Sequence, residues 1–194
     1  MKRKLLAIAP AGLLLAMMGN AGATVAVPLT LEALTKQSDV VVQGTIVETK
    51  SFWGPNKQRI YTHTRVEVLR TLKGVAKAQT LVVQQWGGEV GGVRMDVPGN
   101  ANLKTGEEVV LFLTNDAQFH YVVGLSQGKF TLQADATGKK VASRDMGGIA
   151  FARWKNGKMT LSPRFELAKP LALDELEAEV KRAAALPTTT PNAQ

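Results

Sequence analysis

From Ile60 the chain reads IYTHTRVEV, and its side chains fall on two faces. Ile60, Thr62, Thr64, Val66 and Val68 share one, and Tyr61, His63, Arg65 and Glu67 share the other. A period of two is the signature of a pleated strand buried on one side and wetted on the other. The pattern recurs along the chain. VVVQGTIVETK from Val40 reads as a long strand with a bulge or bend at Gly44, followed by TLVVQQW, EEVVLFLT, FHYVVGL, KFTLQA and KVAS. FARWKNGKMTL reads as a hairpin whose Asn156-Gly157 supplies the positive φ angles of a tight turn, setting Trp154 opposite Met159 and Lys155 opposite Lys158. SFWGPNKQ, with Gly54-Pro55-Asn56, is expected to be a loop.

Helical spacing is confined to the two ends. Thr30 can cap LEALTKQ, which would end near Ser38. LALDELEAEVKRAAA places Leu173, Leu176 and Val180 on one face, with acids early and bases late as the helix dipole favours. Strands with a turn every ~8–15 residues and no strand–helix alternation point to a closed or sandwiched β-fold.

The first 23 residues stand apart. Lys2, Arg3 and Lys4 precede an apolar run from Leu5 to Met18, and Ala21 and Ala23 form a small-x-small site. This is the pattern of a secretory signal peptide cleaved after Ala23, and the run falls short of the roughly 20 apolar residues that span a bilayer. The expected organisation is a signal peptide over 1–23, one β-barrel-like domain over 24–185 and a disordered tail over 186–194. The processed protein is expected in the periplasm or outside the cell, without a membrane span.

The chain has no cysteine, which removes disulfides, thiolate metal sites and a lipid-anchored N-terminal cysteine. Without its three basic leader residues the chain carries 21 Lys and Arg against 16 Asp and Glu, a net charge of +5. The excess lies in 128–169, with nine basic residues against three acidic ones. Phe130, Phe151, Trp154 and Phe165 are interleaved with them, a mixture that suits polyanions. Export argues against nucleic acid and for anionic glycans or envelope surfaces, with Lys139, Lys140, Arg153, Lys155 and Lys158 as the residues concerned.

Three motifs bear on chemistry. The glycines of QQWGGEVGGVRMDVPG (84–99) lack the G-x-G-x-x-G spacing and the terminal Lys-Ser or Lys-Thr of phosphate loops, and VRMDVPG is unfit to start a helix. They are expected to serve bulges and close backbone approach, carrying Trp86 and Glu89 to the mouth of a barrel. Gly124-Leu125-Ser126-Gln127-Gly128 fits the nucleophile-elbow pattern of serine hydrolases. That motif needs a helix after the serine and a later histidine, whereas here a strand follows and both histidines, His63 and His120, come earlier. Those two histidines also form no metal-ligand motif, and are expected at the surface or rim. Glu107 and Glu108 point to opposite faces of one strand, one expected to be solvated and one paired with a base.

The order of these elements resembles a known family. A short helix runs into SDVVVQGTIVETK, then YTHTRVEVLRTLKG closes on Lys-Gly, TLVVQQWGG follows, and the Gly-Glu-led TGEEVVLFL leads to YVVGLSQGKF. Over about residues 30–130 this resembles exported bacterial netrin-like domains, related in fold to tissue inhibitors of metalloproteinases. The resemblance implies a five-stranded OB-type barrel with flanking helices that acts by binding proteins. The inhibitors chelate a protease's zinc through an N-terminal cysteine. This chain would begin at Thr24-Val25-Ala26, so no inhibitory residue carries over.

The reading is therefore a mainly β protein. Its expected form is an OB-like antiparallel barrel with an extra β-hairpin and short N- and C-terminal helices, with a β-sandwich as the alternative. Its expected role is non-catalytic binding of a protein, such as a secreted protease or an envelope protein, without a cofactor or metal. Binding of anionic surfaces and a hydrolase centred on Ser126 are the alternatives. The candidate surface is the barrel rim around Trp86, Glu89 and Arg94, with Phe52 and Trp53 from the neighbouring loop as aromatic anchors.

Overall fold

The computed structural model describes residues 23–162 and 170–187. Residues 1–22, 163–169 and 188–194, and with them nearly all of the expected signal peptide (1–23) and most of the expected tail (186–194), lie outside the described residues, as do the side chains of Arg153, Trp154, Lys155 and Ser162 within their strands. In chain order the elements are β1 (Thr24–Ala26), α1 (Leu31–Gln37), β2 (Val40–Trp53), β3 (Ile60–Lys73), β4 (Thr80–Trp86), β5 (Gly88–Val90), β6 (Val93–Met95), β7 (Glu108–Asn115) and β8 (His120–Val122). After a 3₁₀ turn at Leu125–Gly128 come β9 (Lys129–Ala134), β10 (Lys140–Ser143), β11 (Ile149–Lys155), β12 (Lys158–Ser162), β13 (Leu171–Ala172) and α2 (Leu173–Ala185). Among the described residues no helix is long and apolar enough to cross a membrane.

The protein is mainly β, and its centre is a closed barrel. The principal sheet runs β13-β10-β9-β7-β2-β3-β4-β8, and β8 returns to pair with β7, closing a ring of five strands, β7-β2-β3-β4-β8. The ring agrees with the OB-like expectation and displaces the sandwich. It is not wholly antiparallel, because β8 meets β4 in parallel at Val83↔His120.

Burial explains why some strands alternate and others do not. Along β2 and β7, Val40, Val42, Ile46, Val109, Leu111 and Leu113 fill the barrel, while Val41, Val110 and Phe112 join a second core outside it. Strands covered on both faces read as continuous apolar runs, which accounts for VVV and VVLFL. The second core includes Leu34 of α1, Phe130 and Leu132 of β9, and Leu176 and Val180 of α2. β3 is covered on one face, so Ile60, Thr64 and Val66 are buried while Arg65 and Glu67 are exposed.

Local signals behave as the residues dictate. The Thr30 side chain accepts a hydrogen bond from Ala33 N and caps α1, and the backbone N–H of Ser38 closes it on Thr35 O. β2 shifts register at Gln43/Gly44, where a Cβ on Gly44 would press into the backbone of Glu67. The β11–β12 hairpin pairs Trp154 with Met159 and Lys155 with Lys158 around Asn156 (φ 51°) and Gly157 (φ 71°).

Several expectations are corrected. The loop after β2 is shorter than SFWGPNKQ, because Ser51, Phe52 and Trp53 pair with Thr62, Tyr61 and Ile60, leaving the turn to residues 54–59. FHYVVGL yields only three strand residues, since Gly124 and Leu125 both take positive φ and break the ladder. The glycines after Trp86 build a two-stranded hairpin, β5–β6, around Gly91-Gly92 rather than bulges alone. β1 was not expected at all. It lies parallel to β11, with Thr24↔Ile149 in register, and this β1-β11-β12 sheet covers a small core of Met146, Ile149 and Phe151.

Candidate functional site

The barrel interior changes character along its length. Toward the end of β2 and the start of β3 the inward positions are Thr49, Ser51, Thr62 and Thr64, so hydrocarbon gives way to hydroxyls. Ser51 Oγ and Thr62 Oγ1 lie 2.8 Å apart, and Thr62 Oγ1 donates to Gly87 O at 2.7 Å. This ties the end of β4 and the start of β5 down onto β2 and β3. Gly88 has no room for a side chain, since a Cβ there would run into Ser51 Oγ and Thr62 Oγ1.

Trp86 stands at this mouth, 54 % exposed, on the same face as Phe52 and Tyr61 in a row across the three strands. The guanidinium of Arg59 covers its ring at 4.6 Å from the centroid, an arrangement worth roughly 0.5–1 kcal/mol at an exposed site. Clefts open on its two sides. One, about 280 Å³, is lined by Thr49, Thr62, Thr64 and Gln85 under the 95–103 segment. The other, about 340 Å³, is more apolar and is lined by Tyr121, Val122, Leu125 and Val97. Trp86, Gln85, Val97 and Asn100 border both, and Asn100 Nδ2 donates to Trp86 O at 2.7 Å, fixing the ridge between them.

A row of aromatic rings continues over the outer face. Phe52 stacks on Tyr61 at 6.2 Å, and His63 sits 4.6 Å from both Phe52 and Phe119. His63 is thus half-buried rather than wet. Its Nε2 lies 2.9 Å from Gln84 Oε1, so with that oxygen accepting, Nε2 carries the proton. Gln84 Nε2 donates to the Tyr121 hydroxyl, which donates to Asp116 Oδ2 at 2.6 Å. That bond raises the Tyr121 phenol above its ordinary value. The same bond, helped by the backbone N–H groups of Phe119 and Gln118, holds the Asp116 carboxyl below the usual carboxylate range.

The expected rim residues divide. Trp86 and Phe52 share the outer face, whereas Trp53, opposite Ile60, falls on the other face of the same strand. Phe52 and Trp53 come from the strand, not from a loop. Glu89 and Arg94 face each other across β5–β6 beyond both clefts, and Arg94 pairs with Asp96 at 2.9 Å. Arg59, Tyr61, Asn100 and Tyr121 complete the site and were not anticipated. Tyr61 could have been found from its register with Trp86, but nothing local in the sequence brings Asn100 or Tyr121 there.

The other candidate motifs do not assemble into sites. Ser126 is 4 % exposed in the 3₁₀ turn, its Oγ has no hydrogen-bond partner, and a strand follows it. The residue at work in that motif is Gln127, whose Oε1 accepts from Leu29 N while its Nε2 donates to Val27 O, clamping the N-terminal segment. Glu107 and Glu108 are both paired, with Lys129 at 2.5 Å and Lys140 at 2.6 Å, which corrects the expectation of one solvated carboxylate. Lys140 is thereby offset, Lys139 and Lys158 are exposed, and the side chains of Arg153 and Lys155 lie outside the described residues. Among the described residues no three His, Asp or Glu side chains gather as a metal site. Neither a protein-family model nor a curated protein matches the chain.

Proposed function

We propose that this is an exported, non-catalytic binding domain of netrin-like kinship that takes a protein partner at the barrel mouth, with Trp86 as the anchor. The observation that carries the reading is the placement of Trp86: half-exposed, held by Arg59 and Asn100, and flanked by two clefts of different polarity. Exposed tryptophan beside a preformed cleft is the kind of residue that dominates binding energy at protein interfaces. The leader pattern supports a partner met in the periplasm or beyond, such as a secreted protease or an envelope protein. The paired carboxylates and the sealed, unactivated Ser126 favour recognition over catalysis.

The test is crosslinking of the tagged protein in its own cells, followed by affinity measurement with the partner so identified. Trp86→Ala should weaken that complex about 30-fold or more, the scale of an interface hot spot. Equal affinity in the variant would refute the assignment of this surface.

A further inference from the structure

We propose that a second site, remote from the barrel mouth, binds an aliphatic monocarboxylate with its carboxylate on Arg144. The cleft lies where the segment before α1 meets β13 and α2. Its volume is about 360 Å³, within the roughly 300–1,000 Å³ range of small-molecule sites. Pro28, Leu29, Leu31 and Leu171 line it with hydrocarbon, and Arg144 and Glu179 bring charge.

Arg144 is the anomaly. Other cations that turn inward are answered: Lys129 by Glu107 and Asn102 O, and Lys73 by Thr35 O and Ser38 O. The guanidinium of Arg144 instead packs over Phe130, 4.9 Å from the ring centroid, and its buried Nη1 has no hydrogen-bond partner. Among the described residues no carboxylate pairs with it. Burial pulls this guanidinium below its ordinary value, yet an arginine stays charged in any protein. A guanidinium nitrogen withdrawn from water without a partner costs free energy, and the partly buried Arg144 side chain borders an apolar cleft.

The chemistry of the lining selects the ligand. A guanidinium prefers the planar, two-oxygen geometry of a carboxylate, and a leucine-lined cleft takes a hydrocarbon tail. Glu179 would repel an anion, but its carboxylate is 2.9 Å from Arg182 Nη2, which offsets its charge. A fatty acid of medium length meets both requirements.

The experiment is calorimetric titration of the purified protein with hexanoate, octanoate, decanoate and 1-octanol, with melting temperature as a second readout. Saturable one-to-one binding should tighten about fourfold per methylene, from roughly 0.8 kcal/mol per buried CH₂, and 1-octanol should bind at least tenfold more weakly than octanoate. Arg144→Gln should lose octanoate affinity at least tenfold while melting higher than the wild type, because an unpaired charge has been removed. Should that variant fail to fold, Leu31→Trp, which fills the cleft and keeps the arginine, must abolish decanoate binding. Equal affinity for octanoate and 1-octanol, unchanged octanoate binding in Arg144→Gln, or no saturable heat with decanoate up to its solubility limit would each overturn the site. Tighter binding of N-acetyl-leucine than of decanoate would overturn the fatty-acid assignment in favour of a peptide carboxyl terminus. None of these outcomes bears on Trp86, so the two proposals stand or fall separately.

Discussion

The two halves of β2 are built for different tasks. From Val40 to Ile46 the strand is buried on both faces, between the barrel core and the layer under the two helices. From Glu48 to Trp53 its inward face carries Thr49 and Ser51, and its outward face carries Lys50 and the half-buried Phe52. The first half buries hydrocarbon and holds the fold together. The second gives up that stabilisation and leaves hydroxyls, an exposed tryptophan and two clefts. Stability and recognition are thus separated along a single strand.

The sharpest way to break this comparison is to remove one aromatic ring from the core beside the first half, on β7 opposite Val41, and one from the second half itself. Phe112 is fully buried in the outer core with its ring 5.6 Å from Phe130. Phe112→Ala should cost about 3–5 kcal/mol, as large-to-small changes in packed cores do. Phe52→Ala, at the mouth, should cost about 1 kcal/mol or less. Urea unfolding of the two variants measures both, and equal losses would show that the mouth is as stability-bearing as the double-sided core.

Next in size is an exception within the mouth itself. Gly88, at φ 127° and pressed against Ser51 and Thr62, should lose about 2–4 kcal/mol as Gly88→Ala, since strained backbone and steric overlap combine. Gly92, at φ 80° with nothing within 4 Å of its would-be Cβ, should tolerate Gly92→Asn within about 0.5 kcal/mol. Two glycines four residues apart therefore serve different needs, one close contact and one turn geometry. Similar losses in both variants would deny that distinction.

Where chemistry is local, the sequence makes the structure legible. Thr30 capping α1, the Asn156-Gly157 turn and the inward face of β3 each rest on neighbouring residues. The pairing of β1 with β11 joins segments more than 120 residues apart, and three residues of TVA carry no period that could announce it. FHYVVGL reads as a strand because its residues favour one, yet the turn at Gly124-Leu125 leads into tertiary contacts, with Ser126 N–H donating to Gly99 O at 2.9 Å. At the site, Trp86 could be singled out as a large aromatic beside paired glycines. Its separation from Glu89 and Arg94 follows from the β5–β6 hairpin, and the opposite facing of Phe52 and Trp53 depends on where β2 stops. That end is set by pairing with β3, not by the Gly-Pro-Asn turn signal alone. The unpaired Arg144 is invisible in sequence, because what distinguishes it is the absence of a partner in space.

The smallest expected effect lies within the first half of β2, at the one polar side chain it buries. Gln43 faces outward there, its Nε2 donating to Glu108 Oε1 at 2.7 Å, and Glu108 also accepts from Lys140 at 2.6 Å. The Lys140 hydrogen bond, assisted by Gln43 and the charges of Lys140 and Arg70, holds the Glu108 carboxyl below its ordinary 4.5. A carboxyl lowered in the folded state binds its proton less readily than in the unfolded chain. Its contribution is complete above the unfolded value near 4.5 and is lost as pH falls through the folded value. Because Lys140 is half-exposed, solvent screening limits that contribution to about 1 kcal/mol or less. Lys140→Gln should move the Glu108 carboxyl resonance titration upward toward the usual carboxylate range and flatten the decline in unfolding free energy below pH 5. Because Gln43 remains to bond the carboxylate, the titration should not return the whole way. An unshifted titration in Lys140→Gln would mean that the Glu108 carboxylate is held by the Gln43 amide and not by charge.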